Sequence, residues 1–195
     1  YVLFRHYLAE PVDAALEAKI AVYLRRIQGA HGGWPLVHDG AFDMSASVKA
    51  YFALKMIGES IDAPHMVRAR EAILSRGGAI NSNVFTRFLL SMFGVTTWHS
   101  VPVLPVEIML LPMWSPFHLN KISYWARTTI VPLMVLAALK VRAKNPKGVT
   151  IDELFLQDPK SIGLLAKAPH QSAGWFNLFR CLDVVLRVVE PMFPK

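Results

Sequence analysis

The 195-residue sequence has a single cysteine, Cys181, which excludes an internal disulfide and fits a reducing compartment. Charge is also sparse: 18% of residues are charged against 53% hydrophobic, too apolar a balance for a disordered chain. Acidic side chains are the scarcer sign, 14 against 21 Lys and Arg, for a net charge of +7. That excess suits an anionic membrane surface or nucleic acid. The basic residues are spread singly, however, and the densest group, Lys140, Arg142, Lys144 and Lys147, comes with no nucleic-acid-binding motif. It reads as a solvated helix end and loop, with membrane headgroups as the next choice; no nucleic-acid partner is expected.

Metal and cofactor signatures are missing too. The histidines at 6, 31, 38, 65, 99, 118 and 170 form no HxH or HExxH pair, and none has a cysteine at ligand spacing. There is no phosphate loop, no GxGxxG and no GxSxG. No metal and no cofactor is expected. Nor is there a clean membrane span. Residues 88–106 carry no formal charge, but Gly94, His99, Pro102, Pro105 and the polar "TTWHS" interrupt them, and the uncharged run 128–139 is too short. The chain begins on Tyr1, not Met, so it is expected to be part of a longer protein, and the lack of a signal peptide says nothing.

What is present is helical punctuation. Asp13 is placed to cap a helix bearing Leu16, Ile20, Tyr23, Leu24 and Ile27 at helical spacing, stopping at Gly29. Asp43 precedes "MSASVKAYFALKMI", whose Val48, Tyr51, Phe52 and Met56 share a face before Gly58. Asp62 precedes a helix with a proline in its first turn and Gly77 and Gly78 after its last. Asn81 or Ser82 opens "NVFTRFLLSMF", which closes at Gly94. Prolines then break 102–117 into an irregular apolar segment with one short helix. A longer helix over about 122–141 contains Pro132; a short one lies near 152–155; and "GWFNLFRCLDVVLRVVEPMF" reads as a helix ended by Pro191. No strand pair is evident. The fold class is all-α, built from helical hairpins as a solenoid or a closed α/α toroid; periodicity does not choose between them.

A few residues stand out singly. Cys181, on an apolar helix, reads as a buried structural thiol. Asp39 and Asp43 read as a loop residue and a cap. Glu107, among apolar neighbours, calls for a structural ion pair with Arg87 or Arg127. Trp98, Trp114, Phe117, Tyr124 and Trp125 gather in or just after the proline-broken region. Such side chains mostly build core. Lining a dry cavity, they bind a long hydrocarbon or stabilise a cation by roughly 0.5–2 kcal/mol each.

The stretch "AKIAVYLRRIQGAHGGW" carries a resemblance. Tyr23, Leu24, Gln28, Gly32 and Trp34 fill the slots of the glutamine–tryptophan repeat of triterpene cyclases. It is followed by "DMSASVKAYFALKMIG", "AREAILSRGG", "NVFTRFLLSMFG", "VPVLPVEIMLLP" and "SYWARTTIVPLMVLAALK". In this order the segments resemble the N-terminal part of bacterial squalene–hopene cyclases, which are class II terpene cyclases. The resemblance covers essentially the whole chain, most specifically residues 19–141. It implies an α/α toroid in which two helical domains enclose a cavity, on a protein that dips into one face of the membrane to take up squalene. Residues 1–12 would be a lead-in segment and 13–195 the α/α-barrel domain that lacks the catalytic acid. Trp125 in "YWAR" matches a tryptophan facing the hydrocarbon, and Phe85 in "NVFTR" matches another wall position. The repeat residues are structural: Gln28 braces neighbouring helix ends and Trp34 stacks on it.

One departure limits what the chain does. Class II cyclases protonate an alkene with the central aspartate of D-x-D-D, a strong desolvated acid. Neither D-x-D-D nor D-D-x-x-D occurs here. In the family the acid lies further along, in the other domain, so this chain alone is not expected to cyclise squalene. The last helix offers an apolar face of Phe176, Phe179, Leu182, Val185, Leu186 and Val189 beside Arg180 and Arg187. It is either a core helix or, as the resemblance implies, part of the apolar surface that enters the bilayer. The implied enzyme is an isomerase (an intramolecular transferase). Its implied partners are squalene or a related C30 isoprenoid, the C-terminal catalytic domain of the same protein, the cytoplasmic face of the bacterial inner membrane, and a second copy as a homodimer. The alternative is a non-catalytic α-helical scaffold or isoprenoid-binding module.

Overall fold

Helix starts follow their capping side chains. The first helix, α1, is Val2–Leu8; Asp13 then accepts from the Leu16 N–H at 3.0 Å and opens α2, Ala14–Arg26. Asp43 accepts from the Ala46 N–H at 2.7 Å and opens α3, Met44–Ile57, which ends at Gly58. Two expected caps move. α4, Pro64–Leu74, starts from Ala63 with no side-chain cap, so Asp62 does not serve. Pro64 presents no N–H in the first turn, which leaves one donor fewer to satisfy. α5, Val84–Met92, is capped by Asn83, which accepts from the Thr86 N–H at 2.9 Å, and not by Asn81 or Ser82. Residues Ala79–Asn81 form a 3-10 turn first, and Asn81 donates to the Arg76 carbonyl at 3.0 Å.

The computed structural model describes residues 1–116, 118–163 and 172–189; Phe117, His170 and Pro191 lie outside them. Among the described residues the secondary structure is helical, and the one extended pairing is an isolated antiparallel bridge between Pro35 and Phe42. The chain divides into two compact units, 1–100 with 142–163, and 101–141 with 164–195.

In the first unit α3 is the central helix. Val48, Tyr51, Phe52, Leu54 and Met56 are fully buried there, and α1, α2, α4 and α5 pack around them. α2 turns Glu17 and Ala21 inward, with Ile20, Leu24 and Ile27 packed against the core. Leu16 and Tyr23, expected on that face, are exposed. The reason is polar: buried His6 on α1 meets buried Glu17 at 3.0 Å, which rotates the acidic residue inward. Residues 142–163 return to this unit. The Ala143 N–H donates to the Met92 carbonyl at 2.7 Å, and the Lys144 N–H to that of Tyr7 at 3.0 Å. The 3-10 turn Asp152–Leu154 then buries Leu154 and sets Glu153 against the Tyr51 hydroxyl (3.0 Å) and Lys55 Nζ (2.6 Å). Burial first, and the Glu153 charge second, push the Tyr51 phenol above its ordinary range.

In the second unit a 3-10 turn, Val106–Leu110, packs with α6, Tyr124–Leu139, which has Pro132 inside it. Ser123 caps α6 and Lys140 ends it in a left-handed conformation. α7 is Ala173–Val189. No helix among the described residues is long and apolar enough to cross a membrane.

Candidate functional site

The first unit holds the glutamine–tryptophan segment as a clamp. After α2 the chain turns back on itself, the Gly29 N–H donating to the Gly33 carbonyl and the Gly32 N–H to that of Gly29, both at 2.9 Å. Gly32 sits at φ +86°, and a Cβ there would lie 2.8 Å from the Arg68 carbonyl oxygen, so the loop rests directly on the α4 backbone. Gln28 uses that closeness. Its Nε2 donates to the Gly32 carbonyl (2.6 Å) and the His65 carbonyl (2.9 Å), while Arg68 donates to its Oε1 at 3.1 Å. Trp34, 2% exposed, donates from Nε1 to the Leu24 carbonyl at 2.8 Å, and its backbone N–H donates to Ser47 Oγ at 2.8 Å. One segment therefore ties together the ends of α2, α3 and α4. Tyr23 takes no part in these bonds; its ring is exposed beneath the Arg26 guanidinium, 5.5 Å from the centroid.

The aromatic group read from the sequence divides between the units. Trp98 belongs to the first, edge-on to Phe88 at 5.9 Å, and Phe85 on α5 is half exposed there. In the second unit Trp114 is 81% exposed on the proline-broken turn, and Trp125 is 80% exposed on the first turn of α6 beside exposed Tyr124. Arg127 lies 6.0 Å from the Tyr124 ring centroid and donates to Asn120. These rings are thus surface of their own unit rather than its core.

Two single-residue expectations are corrected. Glu107 stands half-buried on its 3-10 turn with no ion pair among the described residues, since it remains accessible to water there. Of its expected partners, Arg127 is engaged by Asn120, and Arg87 is buried on α5, where desolvation holds its pKa below the ordinary arginine range. Cys181 is exposed, not buried, because α7 turns that side outward.

The apolar face expected on α7 is split. Phe179, Leu182 and Val185 are exposed, together with Trp175 and Leu178, while Phe176 and Leu186 are half-buried. The residue α7 buries is Asp183, which the reading of apolar positions passed over. Its spacing from Arg187, four residues on, was the available signal. Among the described residues no group of side chains is arranged to hold a metal ion.

The sequence model of the squalene-hopene cyclase N-terminal domain matches residues 1–195. The squalene–hopene cyclase of Bradyrhizobium diazoefficiens is 82% identical over 195 residues, covering all of this chain and 30% of the relative. That of Zymomonas mobilis is 56% identical over 198 residues, again covering all of this chain and 29% of the relative. That of Alicyclobacillus acidocaldarius is 36% identical over 188 residues, covering 95% of this chain and 28% of the relative. Helical architecture and relatives agree on the class, a helical domain of the terpene cyclase type. The chain belongs to the squalene–hopene cyclase family, and the all-α, α/α-toroid class read from the sequence stands with that membership. It spans about 30% of the length of the curated relatives it matches.

Proposed function

We propose that this chain supplies cavity wall and membrane-contact surface to a squalene–hopene cyclase, an isomerase that folds squalene into polycyclic triterpenoids through carbocations, without a cofactor. The observation that carries the reading is the position of Trp125. It is a large π-face left open on α6 rather than spent on packing, in a chain whose relatives are named for squalene. Protonation of the terminal alkene comes from a D-x-D-D acid in the part of the enzyme beyond this matched third. The positive charge then moves along the hydrocarbon, and a ring quadrupole such as that of Trp125 stabilises it by roughly 0.5–2 kcal/mol; Phe85 is the wall residue proposed for the first unit. Loss of a proton or capture of water ends the sequence. Residues 13–195 form the wall-bearing domain, with 1–12 leading into it. Exposed Phe179, Leu182 and Val185 on α7 contribute to the face that rests in the bilayer, with half-buried Phe176 and Leu186 at its margin. The enzyme works as a homodimer on the cytoplasmic side of the inner membrane, and the present chain alone is inactive.

Trp125→Ala in the full-length enzyme tests this. Removing a cation-facing ring lowers cyclisation and releases partly cyclised products, seen by gas chromatography of lipid extracts, while Trp125→Phe retains most of the wild-type pattern. An unchanged rate and product profile in Trp125→Ala removes the residue from the cavity.

A further inference from the structure

Arg87 is a charge withdrawn from water with no acid set against it. On α5 it is 7% exposed, and its Nε is closed to water and meets no acceptor among the described residues. Desolvation alone acts on it, holding its pKa below the ordinary arginine range; no carboxylate is near enough to raise it. Burying an uncompensated charge is among the costliest things a fold can do, and a guanidinium does not escape by losing its proton. Acids of the first unit are committed elsewhere. Glu17 meets His6, Glu59 accepts from Arg25, Glu153 accepts from Tyr51 and Lys55, and Asp13 and Asp43 cap helices. Around α5 the shortage of partners extends to neutral groups: Ser82 Oγ, Thr86 Oγ1 and Trp98 Nε1 are also buried without one among the described residues. Arg87 is turned away from the proposed wall as well. Phe85, two positions earlier and half exposed, stands roughly 160° round the helix axis from it.

We infer that Arg87 is one half of a buried ion pair whose other half, an Asp or Glu carboxylate, comes from the part of the full-length protein outside this chain. The guanidinium dictates the partner's chemistry, because its planar fork matches the two oxygens of a carboxylate. Charge balance points the same way: the chain holds 14 Asp and Glu against 21 Lys and Arg. It covers 30% of the Bradyrhizobium diazoefficiens enzyme, so most of that relative's length lies outside it and is available to supply the acid. Such a fork is directional, and it sets which face of α5 meets the remainder and in what register. The inference rests on the reading of this chain as part of a longer cyclase. It is independent of the wall role of Trp125 and Phe85.

The test uses the full-length protein. Arg87→Met keeps the reach of the side chain and removes its charge, which leaves the partner carboxylate buried alone. The melting temperature at about pH 7.5 is expected to fall by at least about 3 °C. A carboxylate stranded in this way has its pKa raised, so it takes up a proton as the pH falls and the penalty goes with it. The deficit of Arg87→Met against wild type is therefore expected to halve at least by about pH 5.5. Arg87→Lys, which keeps a positive charge, retains most of the stability at both pH values. Its amine also couples to carbodiimide-activated carboxylates, which the guanidinium of the wild-type control does not. Mass spectrometry of the digested Arg87→Lys variant is expected to show an amide link from position 87 to a peptide outside these 195 residues. An Arg87→Met protein as stable as wild type, or more so, means that the guanidinium stands unpaired and overturns the inference. A deficit that stays constant with pH marks lost packing alone and overturns it too, as does a cross-link to an acid within this chain or the lack of any cross-link. Each of those results leaves the Trp125→Ala product test, and the wall reading, standing.

Discussion

A methyl group is the smallest probe of the clamp. At Gly32 it meets two penalties at once, the left-handed φ of +86° and a Cβ position 2.8 Å from the Arg68 carbonyl and 2.9 Å from the Ala72 Cβ. At Gly148, in the same unit, φ is +60° and nothing lies within 4 Å. Gly148→Ala therefore carries the backbone penalty alone, about 1 kcal/mol. Gly32→Ala should destabilise by about 2–4 kcal/mol, because the α4 backbone cannot swing aside as a flexible side chain would. Urea unfolding of both variants in the full-length protein reads the difference; equal midpoints mean that the loop does not rest on α4. This residue was legible in advance, since Gln28, Gly32 and Trp34 form a spaced pattern whose members are chemically unlike each other. The His6–Glu17 pair was not. Its two partners lie on different helices, and a reading that follows apolar periodicity assigns an acid to the solvent by default.

Among the elements, α5 shows what such a reading gets right and where it slips. Its hydrophobic run and its closing Gly94 were plain, yet three polar residues in a row, Asn81, Ser82 and Asn83, compete to open it. The choice is made by tertiary contact: the Asn83 N–H is held by Ser45 Oγ on α3 at 2.8 Å, which leaves the Asn83 side chain facing the Thr86 N–H. No local pattern contains Ser45. Asn83→Ala is accordingly expected to cost about 1 kcal/mol by chemical denaturation, in the usual range for a lost N-cap. Ser82→Ala should cost less, as the Ser82 hydroxyl is buried without a partner among the described residues. A larger loss from Ser82→Ala than from Asn83→Ala would return the cap to the earlier position. The same logic explains α7. Its apolar period was visible, but which edge faces inward depends on Val101 and Val103, some eighty positions away in the chain.

For the molecule as a whole, the decisive fact is a mismatch between surface and length. The second unit leaves Leu110, Met113, Trp114, Tyr124, Trp125 and Trp175 exposed, more large apolar surface than a monomeric soluble domain ordinarily leaves in water. The relatives are about three times as long, since the chain covers 30% of the Bradyrhizobium diazoefficiens enzyme. Those two observations make the chain a working part, and its competence is best measured inside a relative. A chimera in which this chain replaces the matching segment of that enzyme keeps 82% of the segment's residues unchanged. Where a difference falls in a core, a volume-conserving swap typically costs under about 1.5 kcal/mol. The chimera should form the same cyclised products from squalene as its parent, at a rate within about tenfold, because on the proposed function this chain supplies wall while the acid remains the parent's. The isolated chain should form none, having no D-x-D-D aspartate to donate the initiating proton. Product analysis of both by gas chromatography separates the possibilities. A chimera that folds and binds vesicles yet releases only partly cyclised material would show that the wall differs in function despite its family. Cyclised product from the isolated chain would place an acid within these 195 residues, with Glu107 the first residue to substitute.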